Sequence, residues 1–152
     1  MSKSLENAPS ILGRLRRAAR LSPSEWLAFF QAWSWLLFFD VALRLRPFPE
    51  LQAFAARLSS RPAPAPARAQ ELLRILPLAV DRARTHHLYP MTCLRRALTL
   101  QKMLARRGLP AELKIGVRKE DGQLNAHAWV EYEGNLLGEP EKITEQYAVL
   151  QK

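Results

Sequence analysis

The feature that most constrains the fold of this chain is a change of hydrophobic period at Gly108. Before this glycine, apolar residues recur every three or four positions, which is typical of amphipathic helices. After it, "AELKIGVRK" (111–119) and "AHAWVEY" (126–132) have the pattern of half-buried strands, and "LLGE" (136–139) begins a third strand. Helices followed by an antiparallel meander predict an α+β fold.

The first predicted helix begins at "SPSE" (Ser22–Glu25), which combines a serine N-cap, a proline in the first turn and a capping box. It is expected to end near Arg44, because the prolines of "RPFPE" cannot continue it. Pro77 should kink a later helix or mark its true start. A short helix or an irregular tail is expected after Pro140. Further helical patterns occupy 11–19, 49–58, 68–84 and the stretch from Pro90 to Gly108.

A Pro/Ala-rich run, "SSRPAPAPARAQ", interrupts the helical pattern and predicts a stiff, exposed linker. We therefore predict three parts. A helical N-terminal region at 1–58 offers a surface for docking a partner, 59–70 is the linker, and 71–152 is the core that carries the last helices and the strands.

Composition excludes several classes of function. One cysteine among 152 residues rules out an intrachain disulfide and a multi-cysteine zinc site, and it favours a reducing, cytoplasmic location. The histidines lack metal-ligand spacing and no phosphate-binding glycine loop is present, so neither a metal nor a cofactor is expected. The net charge of +9 favours anionic partners, but the arginines are dispersed, and nucleic-acid binding is not expected.

The run Trp26–Leu43 is the one candidate for membrane insertion. It is barely long enough to span a bilayer, and it carries Gln31, Ser34 and Asp40. We interpret it as a helix buried on most sides, with no transmembrane span, and peripheral membrane contact is the alternative. The N-terminus lacks the apolar run of a signal peptide.

Cys93 lies just after Pro90 and Thr92, at the start of a predicted helix. A lone cysteine is most often an inert, buried hydrophobe. At a helix start, however, backbone N–H groups and the helix dipole stabilise a thiolate and the oxyanion formed when an amide is attacked. Of the possible bases, His86 and His87 lie in the preceding loop, whereas His127 has a rigid mid-strand position that suits a catalytic base.

A third residue is expected to orient the imidazole of His127. Glu131 shares its strand face but lies too far along the strand. Glu139 is the first choice, because a three-residue "EGN" loop that pairs Tyr132 with Leu136 would place it diagonal to His127. A register shift of one residue would move Glu139 to the opposite face. Asp121 is the fallback.

Together these motifs resemble the B2-type leader peptidases of lasso-peptide biosynthesis, which are transglutaminase-like. The matching segments are the cysteine helix (Cys93–Gly108), "LKIGVRK" (113–119) and "AHAWVE" (126–131), and "LRLRPF" (43–48) is similar to the family's N-terminal region. The resemblance covers roughly residues 20 to 150.

The resemblance implies a papain-like or transglutaminase-like fold and a triad in which Cys93 is the nucleophile and His127 the base. Glu139 stands where the family usually has aspartate. The implied function is a cysteine peptidase of antibiotic biosynthesis that removes the leader from a ribosomally synthesised lasso precursor through a thioester. Implied partners are the precursor, a separate PqqD-like recognition protein (B1 type), for which the chain has no room, and the ATP-dependent lasso cyclase.

Two alternatives stay open. The same thioester would serve acyl transfer to an amine instead of water. A chain with an inert Cys93 would be a basic helical adaptor that docks on a membrane or a protein through the aromatic residues of the first helix, Trp26, Phe29, Phe30, Trp33 and Phe38.

Overall fold

The computed structural model describes residues 21–120, 122–140 and 142–150. The helices are α1 (Pro23–Leu45), α2 (Phe48–Ala56), α3 (Pro66–Thr85), α4 (Cys93–Ala105) and α5 (Ile143–Gln146). The strands are β1 (Glu112–Glu120), β2 (Gln123–Tyr132), β3 (Asn135–Leu136) and β4 (Ala148–Val149). The predicted α+β fold is confirmed, while the helical pattern at 11–19 lies outside the described residues.

Helix α1 begins at the predicted capping box. Oγ of Ser22 accepts a hydrogen bond from N of Glu25 at 3.3 Å, and N of Ser22 donates to Oε2 of Glu25 at 2.9 Å. The buried face of the helix packs against α3 and α4. Within the described ranges this is the one helix long and apolar enough to cross a membrane by length and composition alone, a test that core helices of soluble proteins also pass.

The extended part of the Pro/Ala-rich segment is shorter than the linker predicted for residues 59–70. Helix α3 already begins at Pro66 and continues through Pro77 to Thr85. The segment before it crosses the C-terminal end of α4, where N of Ser59 donates to O of Ala105 at 3.1 Å. The division into parts at 58 and 70 stays a prediction.

Helix α4 lies at the centre of the molecule. Every residue from Arg96 to Ala105 is buried, because α1, α2 and α3 pack on one side of the helix and the sheet packs on the other. Helix α4 ends at Ala105, and Gly108 just beyond it has the φ of +77° expected of the left-handed residue that follows a helix. A Cβ at this glycine would lie 3.1 Å from O of Pro62 in the crossing segment.

The four strands form an antiparallel sheet in the order β3-β2-β1-β4. The predicted three-residue loop and the pairing of Tyr132 with Leu136 are wrong. Tyr132 pairs with Asn135, and Glu133 and Gly134 form a two-residue loop with φ of +50° and +78°. Strand β3 is therefore Asn135–Leu136 rather than 136–139. Strand β4, which pairs with β1 at the other edge, was not predicted.

Candidate active site

Cys93 is the first residue of α4, and its thiol is free and partly buried. The N-cap residue, Thr92, has an extended backbone, and its side chain makes no capping hydrogen bond. The N-cap side chain therefore leaves the first N–H groups of the helix unoccupied. Such a helix start offers hydrogen-bond donors and a positive field to a thiolate or an oxyanion.

His127 lies in β2, opposite Gly116 of β1. Its ring stacks with Trp129 at a centroid distance of 6.2 Å, and the ring of Tyr147 lies 5.5 Å away. A Cβ at Gly116 would lie 2.8 Å from both the Trp129 ring and Cβ of Tyr147, so this packing requires glycine. His127 is thus mounted on a strand and held by two aromatic side chains.

Glu139 reaches His127 by a route that the sequence did not predict. If β3 continued its ladder, Glu139 would lie opposite Ala128, on the other face of the sheet from His127. Gly138 has a φ of +68°, which turns the chain out of the ladder. As a result, Oε1 of Glu139 lies 3.4 Å from Nε2 of His127.

The side chains of Glu139 and His127 lie within ion-pair distance, but the contact does not have the geometry of a hydrogen bond. Nε2 of His127 is buried and has no hydrogen-bond partner within the described part of the chain. Catalytic hydrogen bonds are often long in a free enzyme and shorten once substrate is bound. The resting geometry is therefore compatible with an orienting carboxylate.

Arg96 is a charged member of the site that sequence reasoning noted only as part of a motif. It is buried one turn after Cys93 and donates hydrogen bonds to Oδ1 of Asp81 at 2.7 Å, to O of Gly138 at 2.7 Å, and to Oε1 of Glu139. Burial alone would lower the pKa of Arg96, but the hydrogen bond and charge of Asp81, together with Glu139, raise that pKa above its ordinary value. Arg96 is therefore a fixed cation.

Asp81, on α3, was not predicted at all. The sequence does indicate that Arg96 needs an anionic partner. Arg96 lies among apolar residues of the cysteine helix, and a charged residue on a buried helix face is almost always paired. The identity of that partner depends on how α3 packs against α4, which the local sequence does not specify.

A cavity of about 200 Å³ connects these groups. Cys93, His127 and Glu139 line it together with Asp81, Arg84, Arg96 and Gly138. The structure thus brings all three predicted catalytic residues to one cavity. Their catalytic roles stay predictions.

The other candidates lie elsewhere. His86 pairs through Nδ1 with O of Arg82, and His87 stacks on Trp33. Glu131 accepts a hydrogen bond from Nε1 of Trp129 at 2.8 Å. The fallback acid, Asp121, lies outside the described residues. Within those residues no group of three histidine, cysteine, aspartate or glutamate side chains is arranged to hold a metal ion.

A cysteine at the start of a central helix and a histidine on an antiparallel sheet, both lining one cavity, are typical of the papain-like class of α+β proteins. The family model of the transglutaminase-like superfamily matches residues 35–152, well over half of the sequence. The chain therefore belongs to the transglutaminase-like superfamily, whose members are generally cysteine-based enzymes. No curated protein and no solved structure gives a significant match.

Proposed function

We propose that this protein is a cysteine peptidase that removes the leader from a ribosomally synthesised lasso precursor peptide. The observation that carries the proposal is the meeting of Cys93, His127 and Glu139 at one cavity. Membership of a superfamily of cysteine-based enzymes supports the chemistry, and the motifs shared with B2-type leader peptidases support the substrate. A cytoplasmic location goes with the proposal, since the single cysteine is free.

In the proposed acylation step, the thiolate of Cys93 attacks the carbonyl carbon of the scissile amide. Nε2 of His127 faces Glu139, so Nδ1 is the nitrogen that takes the thiol proton. The N–H groups at the start of α4 stabilise the oxyanion. Collapse of the tetrahedral intermediate breaks the C–N bond, and the imidazolium returns its proton to the leaving amine.

Deacylation is the same chemistry with water as the nucleophile. His127 takes a proton from water as the oxygen attacks the thioester carbon. The C–S bond then breaks, the leader leaves as a carboxylic acid, and the thiol of Cys93 is restored. Glu139 orients the imidazole and stabilises its charged form in both steps.

The cavity that the reacting residues line has a volume of about 200 Å³, which is too small for a whole leader peptide. We therefore propose that a separate PqqD-like protein recognises the leader and delivers it. Its docking surface on this chain is proposed as the apolar groove of about 400 Å³ between α1 and α2, where Phe38, Val41 and Leu45 are exposed. This groove is distinct from the cavity at Cys93, so a partner bound there would leave the nucleophile accessible.

The test is mass spectrometry of a leader-bearing precursor incubated with the enzyme and the recognition protein. We expect two products, a leader with a free carboxylate and a core with a free amine, and none with Cys93→Ala. Cleavage that survives Cys93→Ala contradicts the proposal. Adding a primary amine distinguishes the alternative, because an acyl transferase would convert the leader carboxyl into an amide.

A further inference from the structure

Arg96 joins three parts of the site through one guanidinium group. Its Nε binds Asp81 on α3, its Nη2 binds O of Gly138, and its Nη1 binds Oε1 of Glu139. The group itself is carried by α4, one helical turn after Cys93. A planar fork with several donors fixes its partners in direction as well as in distance.

Glu139 lies outside the ladder of the sheet and contacts this guanidinium group. Strand β3 ends at Leu136, and the left-handed turn at Gly138 takes the chain out of the ladder before Glu139 is reached. Oε1 of Glu139 then lies between two partners, Arg96 and His127. The carboxylate is only 11% exposed, so Arg96 also supplies the charge that a buried carboxylate requires.

A cation beside Glu139 would ordinarily weaken its attraction for an imidazolium. Asp81 offsets this effect, because its carboxylate pairs with Arg96 on the side away from Glu139. With His127 neutral, the charges of Asp81, Glu139 and Arg96 sum to minus one. Protonation of His127 during catalysis brings the net charge of these four residues to zero.

We propose that Arg96 and Asp81 are positioning residues that hold Glu139 against His127 and leave its negative charge available to the imidazole. This inference rests on the proposed cysteine-peptidase function. Arg84 also approaches Asp81, at 3.9 Å, but it is half exposed and screened by water. Other titratable groups near His127 are Cys93, which shares the cavity, Tyr147, which packs on the ring, and Arg118 of β1, whose guanidinium lies 5.0 Å from the centre of the Tyr147 ring.

The test is an NMR titration of the His127 imidazole in the full chain, with the signal assigned by its absence from His127→Gln. In Arg96→Gln, loss of a nearby cation would by itself raise the titration midpoint. If Arg96 holds Glu139 in place, the carboxylate moves away and the midpoint falls instead, by about one pH unit or a factor of ten in proton affinity. A midpoint that rises or stays unchanged overturns the inference.

Asp81→Asn tests the charge balance. Because the Asp81 side chain is about a third exposed, this variant should fold even if Arg96→Gln does not, and it then provides the test. We expect a fall of the midpoint in this variant too, and an unchanged midpoint overturns the role of Asp81. Arg96→Lys, which keeps the charge but loses the fork, should reduce kcat for the precursor at least tenfold with KM within twofold. Wild-type kcat in this variant also overturns the inference.

The matched control is Arg82→Gln, which removes an arginine from a more exposed pair with Glu25. It should leave both the midpoint and kcat unchanged. Failure of the proposed function gives a different result, namely wild-type protein that does not cleave the precursor while the His127 midpoint still falls in Arg96→Gln.

Discussion

O of Gly138 accepts a hydrogen bond from Nη2 of Arg96 at 2.7 Å, and this contact anchors the turn that carries Glu139 to His127. The turn has no space for a side chain. A Cβ at Gly138 would lie 2.9 Å from Nη2 of Arg96 and 2.9 Å from Cβ of Pro77. The backbone of one glycine therefore sets the position of the proposed third member of the triad.

Gly138→Ala should lower kcat for leader cleavage by at least tenfold, because the new methyl group displaces Arg96 and the turn. The left-handed φ adds a cost of about 1 kcal/mol to the folded state. The control is Gly134→Ala, which has a similar φ of +78° but meets nothing within 4 Å. Steady-state kinetics and urea denaturation separate the effects. Equal kcat values in the two variants would contradict the prediction.

The register of β3 shows what the sequence leaves undetermined. The sequence predicts a three-residue "EGN" loop, yet Glu133 takes a positive φ of +50° beside Gly134 and the loop has only two residues. The two-residue loop shifts the ladder by one residue from the predicted register, and a continued ladder would place Glu139 on the face away from His127. The left-handed turn at Gly138 brings Glu139 back to His127. The turn packs against Arg96 of α4 and Pro77 of α3, which lie far from it in the sequence.

The features that could be predicted are those that neighbouring residues determine. The capping box at Ser22, the cysteine at a helix start and the left-handed Gly108 all follow from short segments with a physical cause. Asp81 and Tyr147 could not be found in this way, because their contacts at the site depend on tertiary packing. The same holds for β4, whose two residues pair with β1 although β2, β3 and α5 lie between them along the chain.

Asp40 should make the stability of the fold dependent on pH. Its side chain is 1% exposed and binds Arg95 at 2.7 Å and Arg44 at 3.1 Å, while Tyr89 donates a hydrogen bond from the loop before Cys93. The Tyr89 hydrogen bond and the two arginines lower the pKa of Asp40 below 3.8, and burial opposes them only in part. The folded state therefore holds this carboxylate ionised more strongly than the unfolded state does.

The contribution of Asp40 is present above pH 4 and is lost as pH falls through the lowered pKa of the folded state. Asp40→Asn should cost about 3 kcal/mol in the free energy of unfolding at pH 7, because it leaves a partly buried arginine uncompensated. The cost should shrink as the pH is lowered below 4. Urea denaturation at several pH values measures it, and an equal cost at pH 3 and pH 7 would contradict this assignment.

The control for Asp40 is Glu50→Gln. Glu50 pairs with Arg46 at 3.6 Å, but both side chains are more than half exposed. Loss of this pair should change the free energy of unfolding by no more than about 0.5 kcal/mol at any pH.

Gly116→Ala should displace Tyr147 from the His127 ring and weaken the pairing of β4 with β1. Overfilling a packed site of this kind typically costs about 1–3 kcal/mol. Tyr147→Gly removes the Cβ that the new methyl group would meet at 2.8 Å, so part of the cost should disappear in the double variant. A double-mutant cycle by urea denaturation measures this coupling. Strictly additive costs would show that Tyr147 does not pack as described.

Leu45→Glu should raise the concentration of recognition protein needed for half-maximal cleavage at least tenfold, because it places a charge in the apolar groove between α1 and α2. Leu124→Glu is the matched control, since Leu124 is equally exposed, at 75%, and lies on β2. Titration of the recognition protein in the cleavage assay measures both. If the two variants behave alike, the groove is not the docking surface.

The most direct test of a Cys93–His127 pair is the rate at which iodoacetamide alkylates Cys93 as a function of pH, followed by intact mass. An ordinary thiol ionises near pH 8.5, so only about 0.3% is thiolate at pH 6. We predict that at pH 6 the wild-type protein is alkylated at least tenfold faster than His127→Gln. Identical rate profiles for the two proteins would show that His127 does not activate Cys93 and would contradict the proposed mechanism.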